Sequence, residues 1–229
     1  MREKKLLIIC DSHGTKWGAT GYAWQLKEKM GSKNVDIIEF GGISIQKIPT
    51  LLKERIDTTH YTYILIGLGN VDVHPRMPLY VMKFCRKIKF SFIREGLFNV
   101  PPTINLSYIV RLPFFLLKLI IIRFIKQTYS SNKKIKIAFT IIYNFLNKKS
   151  KHIILLPLFE VNEKIYTQHQ NIKVIGINNW LKSEYTSAFL EDEILKKSFY
   201  KNYYNYDFFH FKTIYHSMLA DLLFSKISN

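Results

Sequence analysis

Two stretches at opposite ends of the chain carry side chains that could act together in catalysis. An apolar run, Leu6–Cys10, stops abruptly at a D-S-H-G stretch that presents the hydroxyl of Ser12. Far along the chain, Asp207 and His210 lie three positions apart. At that spacing the carboxylate can accept the Nδ1 proton of the imidazole, which leaves Nε2 free to take a proton from a serine. A serine hydroxyl becomes an effective nucleophile only beside such a base, so the pattern predicts a serine site if the two ends meet.

Glycine and asparagine residues follow the next two apolar runs. A glycine pair ending at Gly42 follows the second run, and a glycine-asparagine pair ending at Asn70 follows the third. Sites in open parallel sheets form outside the carboxyl ends of the strands, so both pairs are expected at the same edge as Ser12. Backbone amides and asparagine amides are typical donors to a developing oxyanion. The candidate donors are the amide of Gly42, alternatively that of Ser44, and the Asn70 side chain.

The elements that must position these residues alternate along the chain. Five runs rich in Ile, Leu and Val predict buried parallel strands, at Leu6–Cys10, Val35–Phe40, Tyr63–Leu68, Ile153–Leu158 and Ile172–Ile177. Helices are predicted between and after them, over about 18–30 (closed by Gly31), 45–56 and 212–227. This alternation favours a doubly wound α/β sheet in one domain over residues 1–229.

The predicted terminal helix has an apolar face that could cover the sheet. That face is predicted to hold Ile214, Tyr215, Met218, Leu219, Leu222 and Leu223. His216 is predicted to lie on the surface of this helix. The segment that carries Asp207 and His210 would then be held at the edge of the sheet by the helix that follows it.

Positive charge is concentrated in one third of the chain. The net charge is +17, and residues 76–151 hold 16 Lys or Arg against a single acid, Glu95. Phe and Tyr are frequent there too. We predict that this segment is an insertion or cap between the third and fourth strands. Its charge suggests an anionic partner, either an acidic glycan, a lipid surface or nucleic acid, although no recognised nucleic-acid-binding module is present.

A helical stretch inside this segment, over residues 103–126, could contact a membrane. Its apolar part, Leu112–Ile125, is interrupted by Lys118 and Arg123 and is shorter than the roughly 20 residues that a spanning helix needs. On a helical wheel Arg111, Lys118, Arg123 and Lys126 share one side, and Leu, Ile and Phe occupy the other. Such a helix can lie in a membrane interface. Its apolar face could instead pack on the core as a lid, and both roles could hold together.

The two cysteines, Cys10 and Cys85, do not form a disulfide framework, and Cys10 is predicted to be a buried, reduced thiol. This favours a reducing compartment. The apolar run before Asp11 is too short for a signal-peptide core. We therefore expect a cytoplasmic protein, peripheral at the inner membrane face if the basic segment binds lipid.

Taken in order, these blocks resemble the SGNH (GDSL-type) hydrolase superfamily. The tail D-F-F-H-F, leading into an amphipathic helix, is similar to that family's closing block. The resemblance implies a flavodoxin-like, three-layer α/β/α sandwich with a five-stranded parallel sheet, without metal or cofactor. It implies ester hydrolysis or acyl transfer through an acyl-serine. Ser12 would be the nucleophile and its backbone amide an oxyanion donor, His210 the base, and Asp207 the residue that orients it.

The third block departs from the family pattern, which is usually G-x-N-D. Here Val71 stands where the asparagine belongs, and Asn70 comes one residue early. The continuation D-V-H-P-R resembles a G-x-x-D-x-x-P-R variant found with surface-polysaccharide gene clusters. In that interpretation Asp72 and Arg76 shape the substrate site, and His13 and His74 are further candidates for substrate contact.

The leading hypothesis is therefore a serine esterase or O-acyltransferase acting on an acylated, most simply acetylated, carbohydrate in surface-polysaccharide biosynthesis. The substrate would be an acylated glycan or a lipid-linked glycan. One alternative is a lipid or acyl-thioester hydrolase whose apolar cap receives the acyl chain. Another is a non-catalytic protein of the same fold that binds a glycan or a membrane.

Overall fold

The computed structural model describes residues 6–15, 20–56, 60–74, 77–78, 80–81, 98–101, 103–125, 128 and 130–228. Within them, four parallel strands form one sheet in the order β2-β1-β3-β4. The strands are β1 (Leu6–Cys10), β2 (Val35–Glu39), β3 (Tyr63–Gly67) and β4 (His152–Leu155). They coincide with the first four predicted strands to within a few residues, so the prediction of an α/β fold with a parallel sheet is confirmed.

Helices cover both faces of the sheet. They are α1 (Tyr22–Met30), α2 (Ile48–Arg55), α3 (Asn70–Val73), α4 (Leu106–Phe124), α5 (Asn132–Leu146), α6 (Gln168–Glu184), α7 (Lys197–Tyr200) and α8 (Thr213–Ser228). Gly31 ends α1 with a φ of 82°, in the left-handed region that favours glycine. The predicted start of α1 at Gly18 lies outside the described residues.

Alternate residues of β1 enter two separate cores. Leu7 and Ile9 pack with apolar residues of α2, α5 and α6 on one face. Leu6, Ile8 and Cys10 pack with α1 and α8 on the other. Because both faces are covered, the strands read as unbroken apolar runs rather than as alternating ones. The result is the three-layer sandwich that the sequence predicted, and Cys10 is buried as a free thiol.

The predicted fifth strand, Ile172–Ile177, is wrong, because these residues lie within α6. Val174, Ile177 and Leu181 are buried at helical spacing, whereas Ile172 and Ile175 are exposed. In this part of the chain the sheet gains only a short parallel pairing on its β4 edge. There, the Leu155 N–H donates a hydrogen bond to the carbonyl of Ala188, and the Leu155 carbonyl accepts one from the Leu190 N–H.

The terminal helix α8 packs against α1 and carries the apolar face that anchors it. Tyr215, Leu219, Leu223 and Ile227 are buried. Ile214, which was predicted to face inward, is 58% exposed. His216 was predicted to lie on the surface but is only 4% exposed, since it belongs to the buried side of α8.

The described part of the basic segment contributes two helices with different surroundings. From α5, Ile135, Phe139, Ile142 and Leu146 are buried in the core shared with α2 and α6. By contrast, α4 contacts Val161 and Tyr166, which follow β4, and Phe209 before α8.

Helix α4 is turned with its apolar side outward. Phe115, Lys118 and Ile122 are its buried residues. Phe115 and Ile122 pack inward, whereas most residues of the predicted apolar face are exposed. The role of this helix as a lid stays a prediction. Lys118 is only 2% exposed, and its ammonium donates a hydrogen bond to Asn99 Oδ1 at 2.7 Å. Among the helices described, none combines the length and apolar character required to cross a membrane.

Candidate active site

The two distant stretches meet at the carboxyl edge of the sheet. His210 Nε2 lies 3.0 Å from Ser12 Oγ, although the two residues are 198 positions apart. His210 Nδ1 lies 2.5 Å from Asp207 Oδ2. Ser12 and His210 are half-buried, whereas Asp207 is buried. This is a hydrogen-bonded chain from carboxylate to imidazole to hydroxyl, with the serine at its accessible end.

The turn that carries Asp207 and His210 is held by the carboxylate itself. Asp207 Oδ1 accepts hydrogen bonds from the backbone N–H groups of Phe209 and His210, at 3.1 and 3.0 Å. Phe208 between them has a φ of 57°, a left-handed conformation that is uncommon for a bulky side chain. The two hydrogen bonds from these backbone N–H groups offset the strain and fix the imidazole relative to Ser12.

The electrostatics keep Asp207 ionised. Burial raises the pKa of this carboxyl, but the charge on His210 and the hydrogen bonds from His210 and Phe209 outweigh burial, so the net pKa is lowered. A buried carboxylate that stays ionised beside Nδ1 favours the tautomer with the proton on Nδ1. That tautomer leaves Nε2 as the acceptor that faces Ser12.

Asp11 links the Ser12 turn to the loop after β3. Its Oδ1 accepts from the His13 N–H at 3.1 Å, and its Oδ2 accepts from the backbone N–H and Nδ2 of Asn70 at 3.0 and 3.1 Å. Burial raises the pKa of Asp11 to about 6, although these hydrogen bonds from His13 and Asn70 lower it. Sequence reasoning gave Asp11 no role; its position beside the serine at a strand end was the available signal.

Asn70 is placed at the site but is engaged by its surroundings. Besides its two bonds to Asp11, its Oδ1 accepts from the Phe159 N–H at 2.8 Å. Nδ2 has two hydrogens and donates one to Asp11, so one remains for another acceptor. Gly69, with a φ of 100°, provides the turn that starts α3 at Asn70. The role of Asn70 as an oxyanion donor stays a prediction.

Asp72 is fully buried and holds the loop after β2. Its Oδ2 accepts from the Ile45 N–H at 2.7 Å, and its Oδ1 accepts from Ser44 Oγ and Ser130 Oγ at 2.6 and 2.5 Å. This side chain therefore binds its own chain and holds the loop after β2 in place; its role in shaping the substrate site stays a prediction. Gly42 lies in the same loop, exposed and with a φ of 72°.

The same network reaches the basic segment. The ammonium of Lys173 donates to the carbonyl of Ser130 and to Thr128 Oγ1. Burial lowers the pKa of Lys173 to about 8, although the charge on Asp72 raises it. Asp72 thus connects the glycine loop to the chain between α4 and α5, which sequence reasoning did not anticipate.

His13 and His74 both contact Phe209, in the turn that carries Asp207 and His210. His13 is 2% exposed, and its ring lies against Phe209, Phe211 and His210, with centroids 4.6, 5.3 and 5.2 Å away. Burial and the charge on His210 lower its pKa well below the usual value, so this imidazole is neutral. The His74 ring meets the Phe209 ring edge-on at 4.1 Å. Arg76, the remaining candidate for substrate contact, lies outside the described residues.

His216 is a second buried imidazole that the sequence analysis did not place near the site. Burial, followed by the charge on His210, lowers its pKa to about 4. Its ring lies 6.2 Å from that of Phe211, next to the turn that carries Asp207 and His210. Within the described residues there is no group of His, Cys, Asp or Glu side chains that could hold a metal ion.

Comparison with solved structures finds proteins of similar fold. No protein-family model and no curated protein matches the sequence. The acetylxylan esterase Axe2 of Geobacillus stearothermophilus superposes with a TM-score of 0.56 at 14% identity, covering 100% of this chain and 97% of that one. The psychrotrophic esterase EstA of a Pseudoalteromonas species, inhibited by monoethylphosphonate, superposes with a TM-score of 0.53 at 11% identity, covering 98% and 97%.

The chain shares its α/β fold with these two esterases. Other similar structures are catalytic mutants of Axe2 in which a serine, a histidine or an aspartate is replaced by alanine, at 16% identity and TM-scores of 0.55 to 0.57. They cover 98 to 99% of this chain and 94% of Axe2. These likenesses show the fold. They do not speak to the variant associated with surface polysaccharides.

Proposed function

We propose that this protein is a serine esterase of the SGNH type, with Ser12 as nucleophile, His210 as general base and Asp207 as the residue that orients it. The observation that carries the proposal is the hydrogen-bonded chain from Asp207 Oδ2 through His210 to Ser12 Oγ, at 2.5 and 3.0 Å. Its support is that the catalytic mutants of Axe2 replace the same three residue types.

The first half of the reaction forms an acyl-serine. Ser12 Oγ attacks the acyl carbonyl carbon while its proton passes to His210 Nε2. The carbonyl oxygen becomes an oxyanion, and its donors would be the backbone amides of Ser12 and Gly42 and the remaining Nδ2 hydrogen of Asn70. The C–O bond to the leaving alcohol then breaks, and His210 returns the proton to that oxygen. Asp207 stays ionised and stabilises the imidazolium in between.

The second half decides between hydrolysis and transfer. When water enters, His210 takes its proton, the hydroxide attacks the acyl carbon, and the carboxylic acid leaves as Ser12 recovers its proton. When a sugar hydroxyl enters instead, the same steps yield a new ester. We propose hydrolysis as the main reaction, and O-acyl transfer as the reaction of the same acyl-serine when an acceptor sugar is bound.

An acetylated carbohydrate is the proposed substrate. Support comes from Axe2, whose name describes an esterase of acetylxylan. Surface-polysaccharide biosynthesis is a narrower proposal that rests on the D-V-H-P-R resemblance, and a lipid-linked glycan is a substrate compatible with the basic segment. A lipid or acyl-thioester hydrolase would differ by preferring long acyl chains.

A fluorophosphonate probe tests the proposal, because such probes label only an activated serine. We expect wild type to be labelled and Ser12→Ala to be unlabelled, with acetyl-ester hydrolysis lower by at least about 10³-fold. Ser183→Ala, which changes an exposed serine of α6, is the matched control and should behave like wild type.

Four outcomes have distinct meanings. Labelling of Ser12→Ala would refute Ser12 as the nucleophile. A folded wild type that is neither labelled nor active would point to the non-catalytic binding protein. Faster hydrolysis of long-chain esters than of acetyl esters would point to the lipid or thioester hydrolase. Acetyl-sugar formation at the expense of free acetate, on adding an acceptor glycan, would identify the transferase reaction.

A further inference from the structure

The outward side of α4 is an apolar strip on the protein surface. Its side chains are between 37% and 82% exposed, and we call them the α4 strip: Leu106, Ile109, Val110, Phe114, Leu116, Leu117, Ile120 and Phe124. At 100° per residue they fall, with Pro113, in an arc of about 160° that contains no charged residue. Monomeric soluble proteins rarely expose a contiguous apolar patch of this kind unless it contacts something.

We propose that the α4 strip docks on the surface of an anionic lipid bilayer, with α4 lying in the plane of the interface. The helix has 19 residues and is about 28 Å long, which gives a continuous apolar edge. Helices that lie in an interface bury one apolar face to a shallow depth and hold cationic side chains near the lipid headgroups. The proposal concerns contact with the bilayer surface and not insertion across it.

The charge of the surrounding segment favours lipid over a second copy of the chain. Residues 76–151 carry 16 basic residues and one acid, while the rest of the chain is close to neutral. Pairing two α4 strips would bring two such segments together, and their repulsion would oppose a dimer. An anionic leaflet, in contrast, attracts each basic residue near its surface by about 1 kcal/mol. Arg123 on α4 and Lys133 and Lys134 at the start of α5 are exposed.

The inward side of α4 fixes the strip to the catalytic turn. Phe115 and Ile122 pack with Tyr166 and Phe209. The Tyr166 hydroxyl donates to the carbonyl of Asp207 at 2.9 Å, and the Tyr108 hydroxyl donates to that of Tyr206 at 3.4 Å. Docking is independent of the proposed esterase activity. If both hold, docking brings the turn that carries Asp207 and His210 close to the bilayer surface, because that turn packs against the inward side of α4.

Flotation with lipid vesicles tests the docking with the full chain. Wild type should float with vesicles of phosphatidylcholine and phosphatidylglycerol, and less with pure phosphatidylcholine or at high salt, because salt screens the attraction. Ile120→Glu places a charge in the strip and should weaken binding to the anionic vesicles by about tenfold or more. The matched control is Ile175→Glu on α6, which makes the same change at an isoleucine that is 46% exposed, against 56% for Ile120. It should float like wild type.

A second measurement keeps the test independent of an added negative charge. The added tryptophan fluorescence of Ile120→Trp, measured as the difference from wild type, should shift to the blue and grow stronger when anionic vesicles are added. That of Ile175→Trp should not change. Several results would overturn the proposal: wild type that does not float, equal flotation of Ile120→Glu and wild type, or equal binding to neutral and anionic vesicles. Self-association in sedimentation that Ile120→Glu abolishes, without vesicle binding, would identify a second copy of the chain as the occupant.

Discussion

The helices α8 and α4 are similar in length and both apolar, but α8 buries its apolar face and α4 exposes most of its own. Both are rich in Leu and Ile, and they have 16 and 19 residues. α8 buries Leu219, Leu223 and Ile227 against α1 and the sheet. α4 buries a lysine and leaves most of its apolar residues outside. An apolar helical face therefore predicts a packing contact, but the sequence does not say whether the partner is the core of the same chain or another molecule.

The largest effect is expected at Asp207, which lies where the two regions meet. Asp207→Asn keeps the size of the side chain but presents an amide that can favour the wrong tautomer of His210. We expect kcat to fall by roughly 10⁴-fold, the effect of this change in a serine protease triad. The measurement is steady-state hydrolysis of an acetyl ester, with circular dichroism to verify folding. A loss below about tenfold would mean that Asp207 does not set the tautomer.

Truncation of one leucine in each helix tests the difference in burial directly. Leu219→Ala in α8 removes a fully buried side chain and should lower the free energy of unfolding by about 2–5 kcal/mol. Leu116→Ala in α4 removes an exposed side chain and should change it by no more than about 0.5 kcal/mol. Urea unfolding of both variants gives the comparison. Similar losses in the two variants would show that the α4 strip is covered by protein.

The buried imidazole of α8 should make stability depend on pH. Its folded-state pKa is lowered from 6.5 to about 4, so the unfolded chain binds the proton more readily. The stabilisation is complete above pH 6.5 and is lost as pH falls towards 4, by about 3 kcal/mol. His216→Leu should remove this contribution, so the variant should lose less stability than wild type over that interval.

The effect of His216 is measured as the difference in unfolding free energy between wild type and His216→Leu at each pH. Asp11 has a raised pKa of about 6, so its contribution has the opposite sign and declines as pH rises. The two effects partly offset each other in wild type. Urea unfolding of both proteins at several pH values isolates the imidazole, and parallel pH profiles would show that His216 does not titrate as assigned.

A small effect on stability is expected from replacing the buried lysine of α4. Lys118→Met keeps most of the apolar stem and removes the ammonium that donates to Asn99 Oδ1. The lost hydrogen bond is offset by the lower cost of burying the side chain, so unfolding should change by no more than about 1 kcal/mol. Flotation should be unchanged, since Lys118 faces inward. A loss of several kcal/mol would mean that the ammonium anchors α4.

The sequence alone determined the candidate catalytic residues and most of the helices and strands. Ser12, Asp207 and His210 could be selected because a strand end and a D-x-x-H turn are local patterns with a definite chemical meaning. Four of the five predicted strands were confirmed, since a short apolar run before a turn is typical of a buried parallel strand. The prediction of a strand at Ile172–Ile177 was wrong because a short β-branched run also fits a half-buried helix. The length of the helix that contains it, 17 residues, distinguishes it from a strand.

Only the tertiary structure decided how the faces are oriented and which polar groups meet. Periodicity specifies that a helix has two faces, but the direction in which each points depends on partners far away in the chain. The outward turn of α4, the burial of His216 and the contacts of Asp72 with Ser44 and Ser130 are all of this kind. The 3.0 Å contact of Ser12 with His210 is another, because it requires β1 and the turn before α8 to converge at one edge of the sheet.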